Sequence, residues 1–149
     1  MQRPISPTGA LIRSALVPGL GQWSIGQPIQ GTFFLVATVA CVGGGVFFHS
    51  EYRTMYNEEY LPAVERFGLT SDEAESLYRE VNSRFKLSRG LLLTALGIWM
   101  YGMVDAYVDA AIRNATLEAE SVRQNREAME QLNVHLLPDG SAVLYHRRF

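Results

Sequence analysis

The chain has 149 residues, a formal net charge of −2, and a hydrophobic share of 48%. This length suits one domain, and the small net charge gives no support for a nucleic-acid partner or any other strongly charged one. The single cysteine, Cys41, excludes an intrachain disulfide and a cysteine-based zinc site.

Residues 1–27 make up the first segment and are predicted to form a short helix followed by a turn. Residues 10–17 are mostly apolar and include Arg13, which is typical of a helix lying at a membrane interface. Pro18 and Gly19 end this helix. Trp23 suits the headgroup level, and the neighbouring glutamines can pair with backbone groups that the turn leaves free.

The glycines at 19, 21 and 26 do not predict a nucleotide site. In the dinucleotide fingerprint the third glycine would come two residues earlier, and no βαβ pattern surrounds the motif. A phosphate-binding P-loop would end in Gly-Lys-Ser/Thr, which the chain lacks. The sequence therefore predicts no cofactor here.

Residues 28–48 form the first apolar block and are predicted to be a transmembrane helix. As a helix the block is about 30 Å long, enough to cross the hydrocarbon core of a bilayer. Pro28 fits the first turn, where its missing N–H would be unpaired anyway. The block begins late and lacks a small-residue cleavage site, so we interpret it as a retained span and not a cleaved signal peptide.

Residues 49–89 are predicted to be a helical extramembrane loop. Tyrosines recur every four residues, so the first helix is expected to continue to about Tyr60. Thr70 and Glu73 fit a capping box that starts a second helix. An apolar stripe then leads into the next block, beside a basic cluster of Arg84, Lys86 and Arg89. By the positive-inside rule, these basic residues slightly favour a cytoplasmic position for the loop.

Residues 90–110 form the second predicted transmembrane helix. Only residues 90–104 are uncharged, and they cover about 22 Å as a helix. The block therefore spans a bilayer only if Asp105 lies near an interface or faces protein. A buried hairpin of a soluble protein is the alternative, which we disfavour because the remaining polar residues are too few to surround two such helices.

Residues 111–149 are predicted to form a polar helix and then a small C-terminal β-hairpin. The sequence Pro-Asp-Gly at 138–140 is a turn signal between two short β-prone runs. The predicted fold is therefore an all-α membrane protein with two transmembrane helices in a hairpin, a short interfacial helix, a helical extramembrane loop and this β-hairpin.

Small residues at a spacing of four predict where helices pack in lipid. They form one stripe on each predicted span. The two stripes can meet as an intramolecular hairpin, or bind the helix of a partner or of a second copy. The predicted helix-packing residues are Ala37, Cys41 and Gly45 on the first span and Gly102, Ala106 and Ala110 on the second.

Asp105 and Asp109 lie one helical turn apart, on the same face as Tyr101. Acidic residues within a span are costly, and one interpretation is a proton or cation site. The other, which we favour, is that they mark the interfacial end of the helix, solvated or paired with Arg113. Neither interpretation predicts a bound metal, because no histidine lies nearby in sequence.

The glycine motif, defined as Pro18, Gly19, Gly21, Gln22, Gly26 and Gly31, and the later Asp105, Ala106 and Asp109 resemble a family of small bacterial membrane proteins of unknown function. Members carry P-G-x-G-Q-x-x-x-G-x-x-x-x-G before one span and an aspartate-alanine end to the last span. The resemblance covers roughly residues 10–115. Ser24 stands where a tyrosine is common in the family. The resemblance implies no activity.

The sequence predicts a non-catalytic integral protein of the bacterial inner membrane, an accessory or scaffold subunit of a larger complex. The alternative is a homo-oligomeric ion channel or small transporter using Asp105 and Asp109. An enzyme acting on lipid is disfavoured, because His49, His135 and His146 show no catalytic spacing. The expected partners are membrane lipid and other transmembrane helices, with no nucleic acid and no small-molecule substrate.

Overall fold

A computed structural model describes residues 4–131, 135–136 and 142–143. Within these residues the chain is almost entirely helical. The π-helical turn Tyr56–Tyr60 joins two of the helices. The elements are α1 (Pro7–Leu16), α2 (Leu20–Ser24), α3 (Pro28–Met55), α4 (Leu61–Phe67), α5 (Asp72–Gln131), β1 (His135–Leu136) and β2 (Ala142–Val143).

The helical run that starts with α3 is much longer than the first apolar block. Pro28 occupies the first turn of α3, as expected from its missing N–H. Helical structure then continues through the π-helical turn into α4, so Pro28–Phe67 is one run of 40 residues. The prediction that the first helix continues to about Tyr60 is confirmed.

Helix α5 has 60 residues and is about 90 Å long at the usual rise per residue. It includes the end of the predicted loop, the second apolar block and the polar helix that follows. The predicted capping residue is wrong by one position. The helix begins at Asp72, and the Oγ of Ser71, not that of Thr70, accepts a hydrogen bond from the Ala74 N–H at 3.2 Å.

Helices α3 and α5 run antiparallel and touch closely along the apolar blocks. The Oγ of Ser88 donates to the Gly45 carbonyl at 2.9 Å, and both residues are buried. A Cβ on Gly45 would lie 2.7 Å from Leu92, so the helices approach as closely as they do because this position has no side chain. Nearer the other end, Gly102 packs against the ring of Phe34.

Outside the apolar blocks, aromatic rings hold the helices together. The ring centroids of Tyr52 on α3 and Phe85 on α5 are 5.2 Å apart, and those of Tyr60 and Tyr78 are 5.9 Å apart. These distances suit stabilising aromatic pairs. The repeated tyrosines therefore form the contact surface of the helical extension.

Helix α1 packs along α5 in the opposite direction. The backbone N–H of Ile5 donates to Asn114 Oδ1 at 2.9 Å, and Trp99 Nε1 donates to the Ser14 carbonyl at 2.8 Å. The side of α1 that faces α5 is fully buried at Ala10 and Ser14. Helix α1 therefore packs against α5 within the protein. The prediction of a short interfacial helix did not include this contact.

The predicted small C-terminal β-hairpin is wrong as an element of the fold. Beyond α5, the described residues are the two antiparallel pairs His135–Val143 and Leu136–Ala142. Two residues per strand are fewer than ordinary strands contain, and even a full isolated hairpin is marginal in water. The described residues of the tail therefore form no β-layer, and the fold of the described chain is helical.

Both long helical runs are long and apolar enough to cross a membrane. The most apolar window of Pro28–Phe67 has a mean hydropathy of 1.9 and is 22% buried, and that of Asp72–Met129 has 1.5 and is 17% buried. A core helix in a soluble protein is mostly buried. Here the apolar side chains point mainly outward, which is compatible with a membrane hairpin.

Candidate functional site

The glycine motif begins with a tight turn between α1 and α2. The Leu20 N–H donates to the Val17 carbonyl at 3.1 Å, with Pro18 and Gly19 at the two central positions. Gly19 has φ 86° and ψ −10°, which are the values that the third residue of a type II turn requires. Proline followed by glycine is therefore the local sequence that makes this turn.

A second turn returns the chain into α3. Gly26 adopts φ 87° after the last residue of α2. The Gln27 N–H donates to the Gln22 carbonyl at 2.9 Å and the Gly26 N–H donates to the Trp23 carbonyl at 3.1 Å. These two bonds form a Schellman motif, which ends a helix and favours glycine at the left-handed position.

Gly19, Gly21 and Gly31 allow close packing because each lacks a Cβ. A Cβ on Gly19 would overlap the carbonyl of Gly31, and one on Gly21 would overlap the Ala10 carbonyl and the Ser14 hydroxyl. A Cβ on Gly31 would overlap the Trp23 ring. The motif thus packs α1, α2 and the start of α3 more tightly than any side chain permits.

At the centre of this packing is a set of polar side chains, here named the Gln22 cluster: Ser14, Gln22, Gln30 and Asp105. Gln22 and Ser14 are fully buried. The Ser14 hydroxyl accepts from the Gly21 N–H at 3.0 Å and donates to Gln22 Oε1 at 3.1 Å. Buried polar groups need such partners, because an unpaired one is costly.

The Gln22 cluster reaches α5 through two further bonds of Gln22. Its Nε2 donates to the Gly102 carbonyl at 2.7 Å and to Asp105 Oδ2 at 3.1 Å. The amide of Gln22 therefore uses both N–H groups and its oxygen within the protein. A buried side chain in α2 thus fixes α1 and α5 together.

Asp105 also holds the start of α3. Gln30 Nε2 donates to Asp105 Oδ2 at 2.6 Å, so one carboxylate oxygen accepts from two glutamines on different elements. Hydrogen bonds to a charged acceptor are among the strong ones. Asp105 is half-buried, and so is Asp109 one turn further along α5. The structure thus gives Asp105 neighbours that the sequence alone does not indicate.

Three contacts on α5 extend the arrangement beyond the predicted residues. Besides accepting from the Ile5 N–H, Asn114 donates to the Ile5 carbonyl at 2.6 Å. Arg113 donates to the Ile25 carbonyl, and Trp99 holds the end of α1 through the Ser14 carbonyl. The sequence analysis did not identify Ser14, although a serine in an apolar stretch was a usable signal.

The predicted helix-packing residues divide between two contacts. Gly45 and Gly102 lie between α3 and α5, as described above, and Ala37 and Cys41 are half-buried on α3. Ala106 and Ala110 are fully buried in another place, in a cluster with Ala10 and Ile25. The stripe on α5 therefore contacts both α3 and the α1–α2 segment.

The chemistry of the Gln22 cluster is that of hydrogen-bonded helix ends. Its side chains come from α1, α2, α3 and α5, and they are directed at one another, at the Gly21 N–H and at the Gly102 carbonyl. Among residues 4–131, no group of three or more His, Cys, Asp or Glu side chains is placed to hold a metal ion. The arrangement is suited to fixing the positions of helices.

Comparison with known proteins gives one family. No curated protein and no solved structure matches the chain. Residues 3–132 match a family of unknown function. This range includes the whole glycine motif, the Gln22 cluster and both apolar runs. The resemblance to a family of unknown function is confirmed in this sense, and the chain belongs to the family DUF5683.

Proposed function

We propose that this protein is a non-catalytic subunit of a bacterial inner-membrane complex. Its α3–α5 hairpin crosses the bilayer, and its outer faces bind helices of other subunits. The observation that carries the proposal is the exposure of the apolar windows, of which only 22% and 17% are buried within the described chain. In a bilayer these faces contact lipid or other helices.

Two glycines on the outer faces support contact with another helix. A Cβ on Gly43 of α3 or on Gly97 of α5 would meet nothing within 4 Å. The packing of the described residues therefore requires neither glycine. In membranes, small residues on a helix surface let a second backbone approach closely. Gly43 and Gly97 mark where we place that approach.

The Gln22 cluster supports a scaffold role. It fixes α1, α2 and the start of α3 to α5 through a fully buried side chain. A helix surface that is held rigidly binds a partner with less loss of conformational entropy. The cluster therefore prepares the outer faces for binding without itself contacting the partner.

The test is purification of the full chain from its native membranes in a mild detergent, with mass measurement and subunit identification. We expect a stoichiometric set of other membrane proteins. Gly97→Leu should remove that set while leaving the thermal unfolding midpoint of the subunit unchanged, because the new side chain enters open space. Val39→Leu, on an exposed position that already carries a bulky side chain, is the matched control.

A wild-type protein that purifies alone as a monomer contradicts the proposal. So does a Gly97→Leu variant that keeps its full set of partners together with a Gly43→Leu variant that does the same. A lone homo-oligomer instead favours the channel or transporter that uses Asp105 and Asp109.

Asp105→Asn separates these two functions. Asparagine keeps one side-chain oxygen for the amides of Gln22 and Gln30 but removes the charge. For a scaffold we expect normal partner binding by this variant and no ion flux through wild-type protein in proteoliposomes. A flux that the wild type supports and Asp105→Asn abolishes, with folding retained, favours the channel.

A further inference from the structure

A groove runs between α3 and α5 at the end of the apolar blocks that lies farthest from the glycine motif. Its volume is about 490 Å³. Val46 on α3 and Leu92, Leu93 and Leu96 on α5 form its apolar wall. Val46 and Leu93 are 59% and 67% exposed, so nothing in the described chain covers this wall.

Polar side chains stand at one end of the groove. His49 and Arg89 line it on the side that faces the helical extension. Along α5, Arg89 and Leu96 are seven residues apart, or about 10 Å at the usual helical rise. The groove therefore changes from basic to apolar over the distance that separates a headgroup from the first carbons of an acyl chain.

Arg89 is available to an outside anion. Its guanidinium carbon lies 5.1 Å from the centroid of the Phe85 ring, and among the described residues no carboxylate lies within 4.0 Å of it. Arg84 differs, because it is paired with Glu51 at 2.9 Å and with Glu80 at 3.8 Å. Arg89 therefore lines the groove and has no carboxylate partner among the described residues. Arg84 does not line the groove, and its charge is paired.

We propose that this groove binds one anionic phospholipid. The phosphate lies against Arg89 and His49, and an acyl chain follows the wall formed by Val46, Leu93 and Leu96. The charge of the headgroup complements Arg89, and the open apolar wall complements the chain; basic pockets between transmembrane helices bind anionic headgroups in this way. The inference rests on the membrane placement proposed above.

The test is native mass spectrometry of the full chain in detergent with equal amounts of phosphatidylglycerol and phosphatidylcholine. We expect wild-type protein to retain one phosphatidylglycerol in preference to phosphatidylcholine. Arg89→Gln should reduce that preference about fivefold, the attraction expected from one basic side chain near an anionic lipid. Lys86→Gln is the matched control, because it removes the same charge from an exposed position on α5 outside the groove.

A second pair of variants tests the apolar wall without changing charge. Val46→Phe fills the groove from an exposed position, so we expect it to lose the bound lipid while its unfolding midpoint is unchanged. Val39→Phe places the same ring on the same helix outside the groove and should retain the lipid.

Three results overturn the lipid site. They are equal retention of both lipids by wild-type protein, equal loss in Arg89→Gln and Lys86→Gln, and full retention by Val46→Phe. An alkaline carbonate wash of native membranes separates this failure from failure of the membrane placement. Protein released by the wash is not integral, and that result overturns both proposals. Protein that stays in the membrane but does not select phosphatidylglycerol overturns the groove alone.

Discussion

The two ends of the α3–α5 hairpin are held together by different chemistry. At the end near Asp105, a fully buried glutamine joins α1, α2 and α5, and motif glycines let the backbones touch. At the other end, contacts between tilted rings such as Tyr52 and Phe85 and an ion pair between Glu51 and Arg84 connect the helices. The first end depends on specific partners, and the second on many separate contacts of modest strength.

The two kinds of contact predict where substitutions will be tolerated. A buried donor or acceptor that loses its partner costs the full desolvation penalty, whereas a ring or an exposed charge loses only its own contact. We therefore expect substitutions at the glycine-motif end to be several times more destabilising than those at the aromatic end. Three substitutions, taken in order of decreasing destabilisation, test that expectation.

Gly19→Val should have the largest effect. The position needs φ 86°, which a β-branched residue rarely adopts, and the new Cβ would overlap the Gly31 carbonyl. We expect a loss of about 3–5 kcal/mol in the free energy of unfolding, the range for severe backbone and packing conflicts. Thermal unfolding of detergent-purified protein measures the effect.

Gly43→Ala is the control for this substitution. Gly43 lies within helix α3, and a Cβ there meets nothing within 4 Å among the described residues. Alanine should therefore leave the unfolding midpoint equal to or slightly above that of wild type, because it favours the helix. Similar losses in both variants would show that the backbone contact between Gly19 and Gly31 does not stabilise the fold.

Gln22→Leu should have an intermediate effect. It leaves the Ser14 hydroxyl and the Gly102 carbonyl without the partner that Gln22 provides. We expect the free energy of unfolding to fall by about 2–3 kcal/mol, because buried polar groups are left unpaired. Hydrogen exchange of the amides in α1 and α2 should increase at the same time, since these elements lose their connection to α5.

Gln27→Leu is the matched control, five residues along the chain. The Oε1 of Gln27 is buried and has no hydrogen-bond partner among the described residues. Leucine there should be neutral or slightly stabilising, because it removes an unsatisfied polar atom. If Gln22→Leu proves as harmless as Gln27→Leu, the Gln22 cluster does not hold the helices together.

Arg84→Gln should have the smallest effect of the three. It removes the ion pair with Glu51, in which the side chains of Arg84 and Glu51 are 35% and 36% exposed. We therefore expect a loss of about 0.5 kcal/mol in the free energy of unfolding. Arg79→Gln, which removes the more exposed pair with Glu75 within α5, should cost less still. A loss from Arg84→Gln as large as that from Gln22→Leu would remove the distinction between the two ends.

The local parts of this structure were predictable from the sequence. The Pro18–Gly19 turn, the start of α3 at Pro28 and the continuation of that helix to Tyr60 each depend on residues close together in the chain. Helix α5 was harder to predict as one element, because Gly90 lies between a polar and an apolar segment. A single glycine weakens a helix by about 1 kcal/mol, and neighbouring contacts outweigh that cost.

The contacts of the candidate site were not predictable in this way. Trp99 and Ser14 are 85 residues apart, and Gln22 and Asp105 are 83 apart, so no local pattern joins them. The sequence therefore left Asp105 as either an ion site or the end of a span. Its two glutamine donors became apparent only when α2 and α3 were placed beside α5.

The length of α5 has a mechanical consequence. With the hairpin across the bilayer, as we propose, the part of α5 from Gly97 to Gln131 forms a lever arm of about 50 Å. A tilt of about 10° around Gly97 would then displace the end of that arm by about 9 Å. A small change in how the hairpin sits among its neighbours would thus become a large movement outside the membrane.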